Sequence, residues 1–231
     1  IRVVGLEVVG QLLSRAGEAA PAVGALLKDK EVELRKLAAS ALWRIGTAAV
    51  PVLAQALSDP DTELRAMVAS CCVRSFMGGV DDPNSYVGLV PVLRKALRDS
   101  NLKARVAAAG ALIRLDQGEA EACVAVFKEG LKAKDGQIRR EAAFHCRMLA
   151  HAPDKSRMEP LLPGVVAALA ESLKDGIAFP SVAQAVEDLG LAAKDAVPVL
   201  VQSLAGGKEL DIQSAAMALA KIGPEAKDAV P

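Results

Sequence analysis

The chain is 231 residues long and 52% hydrophobic, enough for a substantial buried core. Only 3% of it is aromatic, and alanine, leucine and valine carry the apolar content, a composition that favours helix and argues against a β-sandwich. The 28 basic and 28 acidic residues cancel, so overall charge gives no argument for a nucleic-acid partner and any such surface must be a local patch.

Taken in chain order, residues 2–16 read as the second helix of a hairpin. Pro21 then opens a first helix, Asp29 marks a turn and 32–45 reads as a second helix. The next stretch, Val50 to Phe76, repeats this plan. Val50 to Leu57 is apolar at helical spacing, with Pro51 near its start where a missing N–H is harmless. Ser58-Asp59-Pro60-Asp61 is a turn, Asp61 or Thr62 can cap the next helix, and Leu64, Met67, Val68, Cys71 and Cys72 form its apolar face over 62–76.

An insertion, Phe76 to Tyr86, breaks the period; Gly78, Gly79 and Pro83 imply a loop, and Asp81, Asp82 and Asn84 lack the spacing of a calcium loop. Pro91 and Asp99 resume the plan, with a second helix over 102–115. The fourth unit has Ala125 in the place of proline and its acid at Asp135, with a second helix over 137–150. Wider breaks follow at 151–156 and at Asp175 to Pro180. The remaining second helices fall over 180–190 and 209–222, ended by Gly190 and Gly223, and 226–231 reads as the start of another unit. Both ends stop inside the pattern, which suggests a longer chain, since a solenoid covers its end faces or makes them polar.

Six hairpins result. Arg35, Arg65, Arg105 and Arg139 sit at matching places, spaced 30, 40 and 34 residues apart, and three of them follow Asp29, Asp59 and Asp99 by six residues. Near Arg139's place the last two units carry Phe179 and Ile212. A charged pair repeated at every turn can tie one hairpin to the next through charge-assisted bonds, so these residues are assigned to structure rather than catalysis.

Proline in the first helix, aspartate at the turn and arginine in the second helix resemble the HEAT-repeat family, of the bacterial kind grouped with phycobilisome-lyase-like repeats. That resemblance implies an all-α, right-handed α-α superhelix, a HEAT-like α-solenoid of about six hairpins plus partial flanking repeats, forming one domain over 1–231 with the insertion at 76–87. It also implies a polar ladder through Asp29, Arg35, Asp59, Arg65, Asp99, Arg105 and Arg139, and a concave side lined by second helices. The non-core residues there are the candidate partner surface: Lys36, Trp43, Arg44, Arg74, Ile113, Arg114, Arg140, Phe144 and Arg147, joined by Tyr86 of the insertion. Eleven basic residues against three acids in the first four second helices suggest a basic strip.

No catalytic or metal site is expected. Cys71, Cys72, Cys123 and Cys146 lack ligand spacing and read as buried thiols of a reducing compartment, here the cytoplasm. His145 and His151 read as structural or exposed. The opening residues do not form a signal peptide, and no apolar run reaches the about 18 residues of a membrane span. The expected function is a non-enzymatic protein–protein scaffold without a cofactor, binding another protein, with an acidic one favoured over nucleic acid. The alternatives are a phycobilisome-lyase-like chromophore-attachment accessory and nucleic-acid binding through the basic strip.

Overall fold

The computed structural model describes residues 17–77, 83–115, 117–150 and 155–224, and among them every regular element is helical. The expected second helix at 2–16, the repeat start at 226–231, the centre of the insertion at 78–82 and His151 lie outside the described residues. The chain divides into two compact units, Ile1–Glu119 and Ala120–Pro231.

The first unit holds α1 (Ala20–Ala25), α2 (Val32–Ile45), α3 (Val50–Ala56), α4 (Thr62–Met77), α5 (Val90–Ala96) and α6 (Leu102–Leu115). The second holds α7 (Ala120–Gly130), α8 (Gly136–Leu149), α9 (Lys155–Met158), α10 (Leu162–Leu173), α11 (Phe179–Leu189), α12 (Val197–Gly206) and α13 (Glu209–Ile222). Short 3-10 turns lead into most first helices. The second helices α2, α4, α6, α8, α11 and α13 match the six expected from the sequence to within one residue at each end.

Proline stands in the opening turn of α1, α3, α5, α10, α11 and α12, where the ring fixes a helical φ and costs no hydrogen bond. Pro163 of α10 belongs to this set and was not among the expected positions. In the fourth unit the turn bonds of Leu131, Lys132 and Ala133 match those of Leu57, Ser58 and Asp59, so Ala125 keeps the proline's place, while α7 begins earlier, at Ala120, with Glu121 in its first turn, where a carboxylate complements the helix dipole. Gly46, Gly190 and Gly223 end α2, α11 and α13 with φ of +81°, +54° and +81°, a conformation that L side chains resist. The stretch Val32–Ala56 has the length and hydropathy of a membrane span, yet it breaks at Gly46 and is two helices of the repeat.

Second helices stack on second helices, α2 on α4 and α4 on α6 in the first unit, α8 on α11 and α11 on α13 in the second. Close stacking of one helix on another needs small residues. Ala38, Ala39, Ala66, Ala107, Ala108, Ala109, Ala142, Ala143 and Ala183 are all fully buried. In α6 burial is unbroken from Val106 to Ile113.

The polar joints have a specific geometry. Each arginine is the fourth residue of its helix and reaches back six residues to a backbone carbonyl. Arg35 donates to Asp29 O at 2.9 Å, Arg65 to Asp59 O at 2.6 Å and Arg105 to Asp99 O at 2.7 Å. Arg139 donates to Ala133 O at 3.0 and 2.7 Å, so the carbonyl serves even where the aspartate is missing. The aspartate side chain folds onto the amide two residues on, as in Asp59 Oδ1 to Asp61 N at 3.0 Å. Asp135, at the next turn position, caps α8 through Gln137 N.

The bond between hairpins is therefore not the six-residue pair itself. It joins the arginine of one repeat to the aspartate of the next. Arg65 grips Asp99 with two nitrogens, Nε to Oδ2 at 2.6 Å and Nη2 to Oδ1 at 2.8 Å, a bidentate fork. Arg139, 3% exposed, bonds Asp175 at 2.6 Å and Ser172 O at 3.2 Å, while Ser172 Oγ returns to Leu131 O at 2.9 Å. Asp59 is held instead by Lys28 of the preceding repeat, at 2.9 Å. Counted from the positive-φ glycine that ends each helix, Phe179 holds the arginine's place in α11 and Ile212 holds it in α13, as Arg35 does in α2, so neither has a cation there.

The Arg65 guanidinium holds the Asp99 carboxyl below the usual carboxylate range against the opposing effect of burial, and the Asn101 amide assists. Asp59 is lowered as well, by the Asp61 amide and then by Lys28. Lowered folded values mean that the unfolded chain binds more protons at mildly acid pH. This stability is present above about pH 4 and is lost as pH falls through the depressed folded values.

Two predictions follow from these joints. Asp99→Ala should lower unfolding free energy by about 2–4 kcal/mol, because it leaves the mostly buried Arg65 without its acid. Asp59→Ala should cost about 1 kcal/mol, since its Lys28 partner is largely exposed; urea unfolding of the two variants gives the comparison, and equal losses would reduce the carboxylate's role to its own turn. Between about pH 6 and pH 3 the urea midpoint of the wild type should fall, and Asp99→Asn should flatten that slope.

Candidate functional site

On α8 the sequence GQIRREAAFHCRML turns Arg139 into the joint and leaves Arg140 beside it, exposed. Arg140, Phe144 and Arg147, spaced four and three residues apart, share one face. Opposite them α11 presents Pro180, Ser181 and Gln184, and the six residues line a cleft of about 400 Å³. The irregular turn expected at Asp175 to Pro180 makes room for it. Gly176 has φ +72° and Ala178 φ +56°, a left-handed conformation that costs a non-glycine residue about 1 kcal/mol. That turn delays α11, which has 11 residues against the 14 of α8.

Charges in the cleft are unequally satisfied. Arg147 donates from Nε to Asp188 Oδ2 at 2.5 Å and lies over the Phe144 ring, 5.7 Å from its centroid. Gln184 Nε2 bridges Glu187 at 3.1 Å and Asp188 at 3.3 Å. Arg140 has no ion-pair partner among the described residues; its Nη1 lies near Gly136, whose added Cβ would stand 3.6 Å from it and 3.7 Å from Ile177. Pro180 and Ser181 belong to the first turn of α11, whose N-cap Ala178 supplies no capping side chain.

Behind the cleft, His145 is buried, stacked on Phe127 at 5.2 Å and edge-on to Phe144 at 5.6 Å. Burial pushes the Cys146 thiol up to about 12, so it stays protonated and is no nucleophile. Cys71 and Cys123 are buried and outside any disulfide. Among the described residues no group of three or more His, Cys, Asp and Glu side chains could hold a metal ion.

The cleft unites three of the residues singled out from the sequence, Arg140, Phe144 and Arg147. Others do not form a surface. Trp43 is fully buried and its Nε1 donates to Val68 O at 2.7 Å. Tyr86, 1% exposed, donates its hydroxyl to Trp43 O, and the two rings lie 5.3 Å apart. The tyrosine of the insertion thus clamps the end of α2 instead of reaching a partner. Ile113 is buried in α6.

The basic strip is largely spent within the fold. Arg35, Arg65, Arg105 and Arg139 serve the turns, Lys36 pairs with Glu33 at 2.7 Å, Lys103 with Glu63 at 3.6 Å, and Arg147 with Asp188. Arg44 and Arg114 are half-buried, and the side chain of Arg74 lies outside the described residues. Pro180, Ser181, Gln184 and Asp188 were not picked out for the cleft; their only signal was their place on the next second helix.

A family model described as HEAT repeats matches residues 19–85. This is a HEAT-like repeat fold. No curated protein matches the chain. Among solved structures, one engineered protein is 24% identical over 91% of this chain and 97% of its own, with a TM-score of 0.60. Another is 20% identical over 88% and 98%, at 0.63. The complex of CpcE and CpcF of phycocyanin lyase from Nostoc aligns at 17% identity over 95% of this chain and 88% of that one, but with a TM-score of 0.34 it is too distant to carry an argument. The likenesses to the two engineered proteins show the fold alone, and function must be argued from side chains.

Because Trp43 is the single tryptophan and is fully buried, its fluorescence should be blue-shifted in the native protein, resist iodide quenching and move red on unfolding. Trp43→Ala should cost about 3–5 kcal/mol, read by the same urea titration.

Proposed function

We propose that the chain is a non-enzymatic scaffold, cytoplasmic as its buried free thiols suit, that holds a protein partner at the cleft between α8 and α11. One observation carries this reading. Arg140, Phe144 and Arg147 converge with Pro180, Ser181 and Gln184 on an open cleft that combines an aromatic face with a cation lacking an internal partner. A half-buried aromatic ring beside an exposed arginine in a depression has the make-up of an interaction anchor. Chemistry finds little support, since the neighbouring thiol is held protonated and the described residues offer no metal cluster.

The same cleft gives a second reading. A flat conjugated ligand bearing carboxylates would find a ring to stack on and arginines to pair with, which is the chemistry needed by a chromophore-attachment accessory of the phycobilisome-lyase-like kind. Nucleic-acid binding has weaker support, because a strip of cations must remain free for phosphates and most of these are already engaged.

The test is affinity capture from lysate of the source organism, with and without nuclease, comparing the wild type with Arg140→Glu/Phe144→Ala after confirming equal melting. A nuclease-resistant protein reduced at least about tenfold by the double variant supports the scaffold. Retention by the variant overturns the cleft assignment. A visible absorbance change on adding a bilin, lost in the double variant, selects the second reading.

A further inference from the structure

We propose that the α8–α11 cleft selects a linear acidic peptide segment, with the carboxylate of an aspartate or glutamate against Arg140 and a neighbouring apolar side chain against Phe144. This deepens the scaffold reading and rests on it. The observations concern charge and space. Of the two guanidinium groups at the cleft, Arg147 is already balanced by Asp188 and anchored over the Phe144 ring. Arg140 is exposed and has no ion-pair partner among the described residues. On the opposite wall Gln184 donates to both Glu187 and Asp188; Asp188 is paired with Arg147, and Glu187 keeps its charge. Arg140 is the cation on the cleft wall that meets no acid among the described residues, at a defined place.

The field around that place favours an anion. Pro180 and Ser181 bring the first turn of α11 to the cleft wall, and the positive end of a helix dipole adds to the guanidinium. Ser181 supplies a hydroxyl that can donate to a carboxylate oxygen. Arg140 is also well positioned: the adjacent Arg139 is fixed by four hydrogen bonds, to Ala133 O twice, to Ser172 O and to Asp175. The backbone that carries Arg140 is thereby held still, which lowers the ordering cost of binding.

The occupant's shape follows from the cleft. About 400 Å³ accommodates a few side chains rather than a folded domain. The half-buried Phe144 ring and Pro180 supply apolar walls beside the charge. An extended segment whose adjacent side chains are acidic and apolar meets both requirements. A polyanion does not, since it needs several unspent cations in a row.

The probes are three fluorescein-labelled hexapeptides that differ only at their charged positions: glutamates flanking a leucine, glutamines in their place, and lysines in their place. Fluorescence polarisation at low and moderate salt reads binding to the whole protein. The wild type should bind the glutamate peptide at least about tenfold tighter than the glutamine peptide, with the advantage shrinking as salt rises. Arg140→Glu should reverse the order and favour lysine, and Phe144→Ala should weaken the glutamate and glutamine peptides alike. Equal binding of glutamate and glutamine peptides, or an unchanged preference in Arg140→Glu, overturns the proposal.

A display selection of random hexapeptides separates this failure from that of the scaffold. Enriched peptides without acids that still lose binding in Phe144→Ala would keep the scaffold and remove the acidic preference. Failure of all three probes and of the selection overturns the acidic-peptide proposal, while the lysate capture judges the scaffold by itself.

Discussion

The structure depends on one arrangement of hydrogen bonds. An arginine at the fourth position of a second helix reaches back to a carbonyl of the turn before it, and where its remaining nitrogens find an aspartate in the next repeat they fix that turn as well. Apolar contacts between alanine-rich helices bury area without specifying register, since small smooth faces can slide. A bidentate guanidinium–carboxylate fork tolerates little sliding, because both its distances and its plane are set. Hydrophobic stacking supplies the bulk of cohesion in each unit, and the arginine joints define how one hairpin sits on the next.

The same arrangement explains where variation is possible. Arg139 and Arg140 are neighbours in sequence, separated by about 100° around the helix. One is nearly fully buried in the joint and the other is exposed at the cleft. The fold can thus change the chemistry of the cleft through Arg140, Phe144 and Arg147 without disturbing the bonds that hold α8 to the turn before α11. The late start of α11, with left-handed Gly176 and Ala178 before it, shapes the cleft from the other side.

Much of the fold was legible because it is written in local signals that recur. Prolines mark helix starts, glycines with positive φ mark helix ends, and a 3.6-residue apolar spacing fills the helices between them. The six second helices could be placed from these alone. Burial of particular side chains was harder. One-sided periodicity leaves Trp43 and Ile113 outside, yet both are enclosed: the Trp43 indole reaches Val68 O on α4 and lies against the Tyr86 ring, contacts between segments that the pattern of a single helix does not carry. Tyr86 was misplaced for a different reason: an irregular insertion has no period from which to infer where its side chains go. The cleft was half legible. Its α8 face follows from spacing along one helix, whereas Pro180, Ser181 and Gln184 come from a helix more than thirty residues away whose start is set by backbone torsions.

The turn partner of each arginine is a main-chain oxygen, and this has a consequence for how the chain can change over time. A backbone carbonyl is present whatever side chain occupies the position, so half of every joint is immune to substitution. Ala133, standing where its counterparts are aspartates, still receives both bonds from Arg139. A repeat can lose its acid and keep its internal closure, surrendering only part of its grip on a neighbour. Repeat arrays built this way can accumulate differences between units gradually, one contact at a time, with each intermediate sequence still folded.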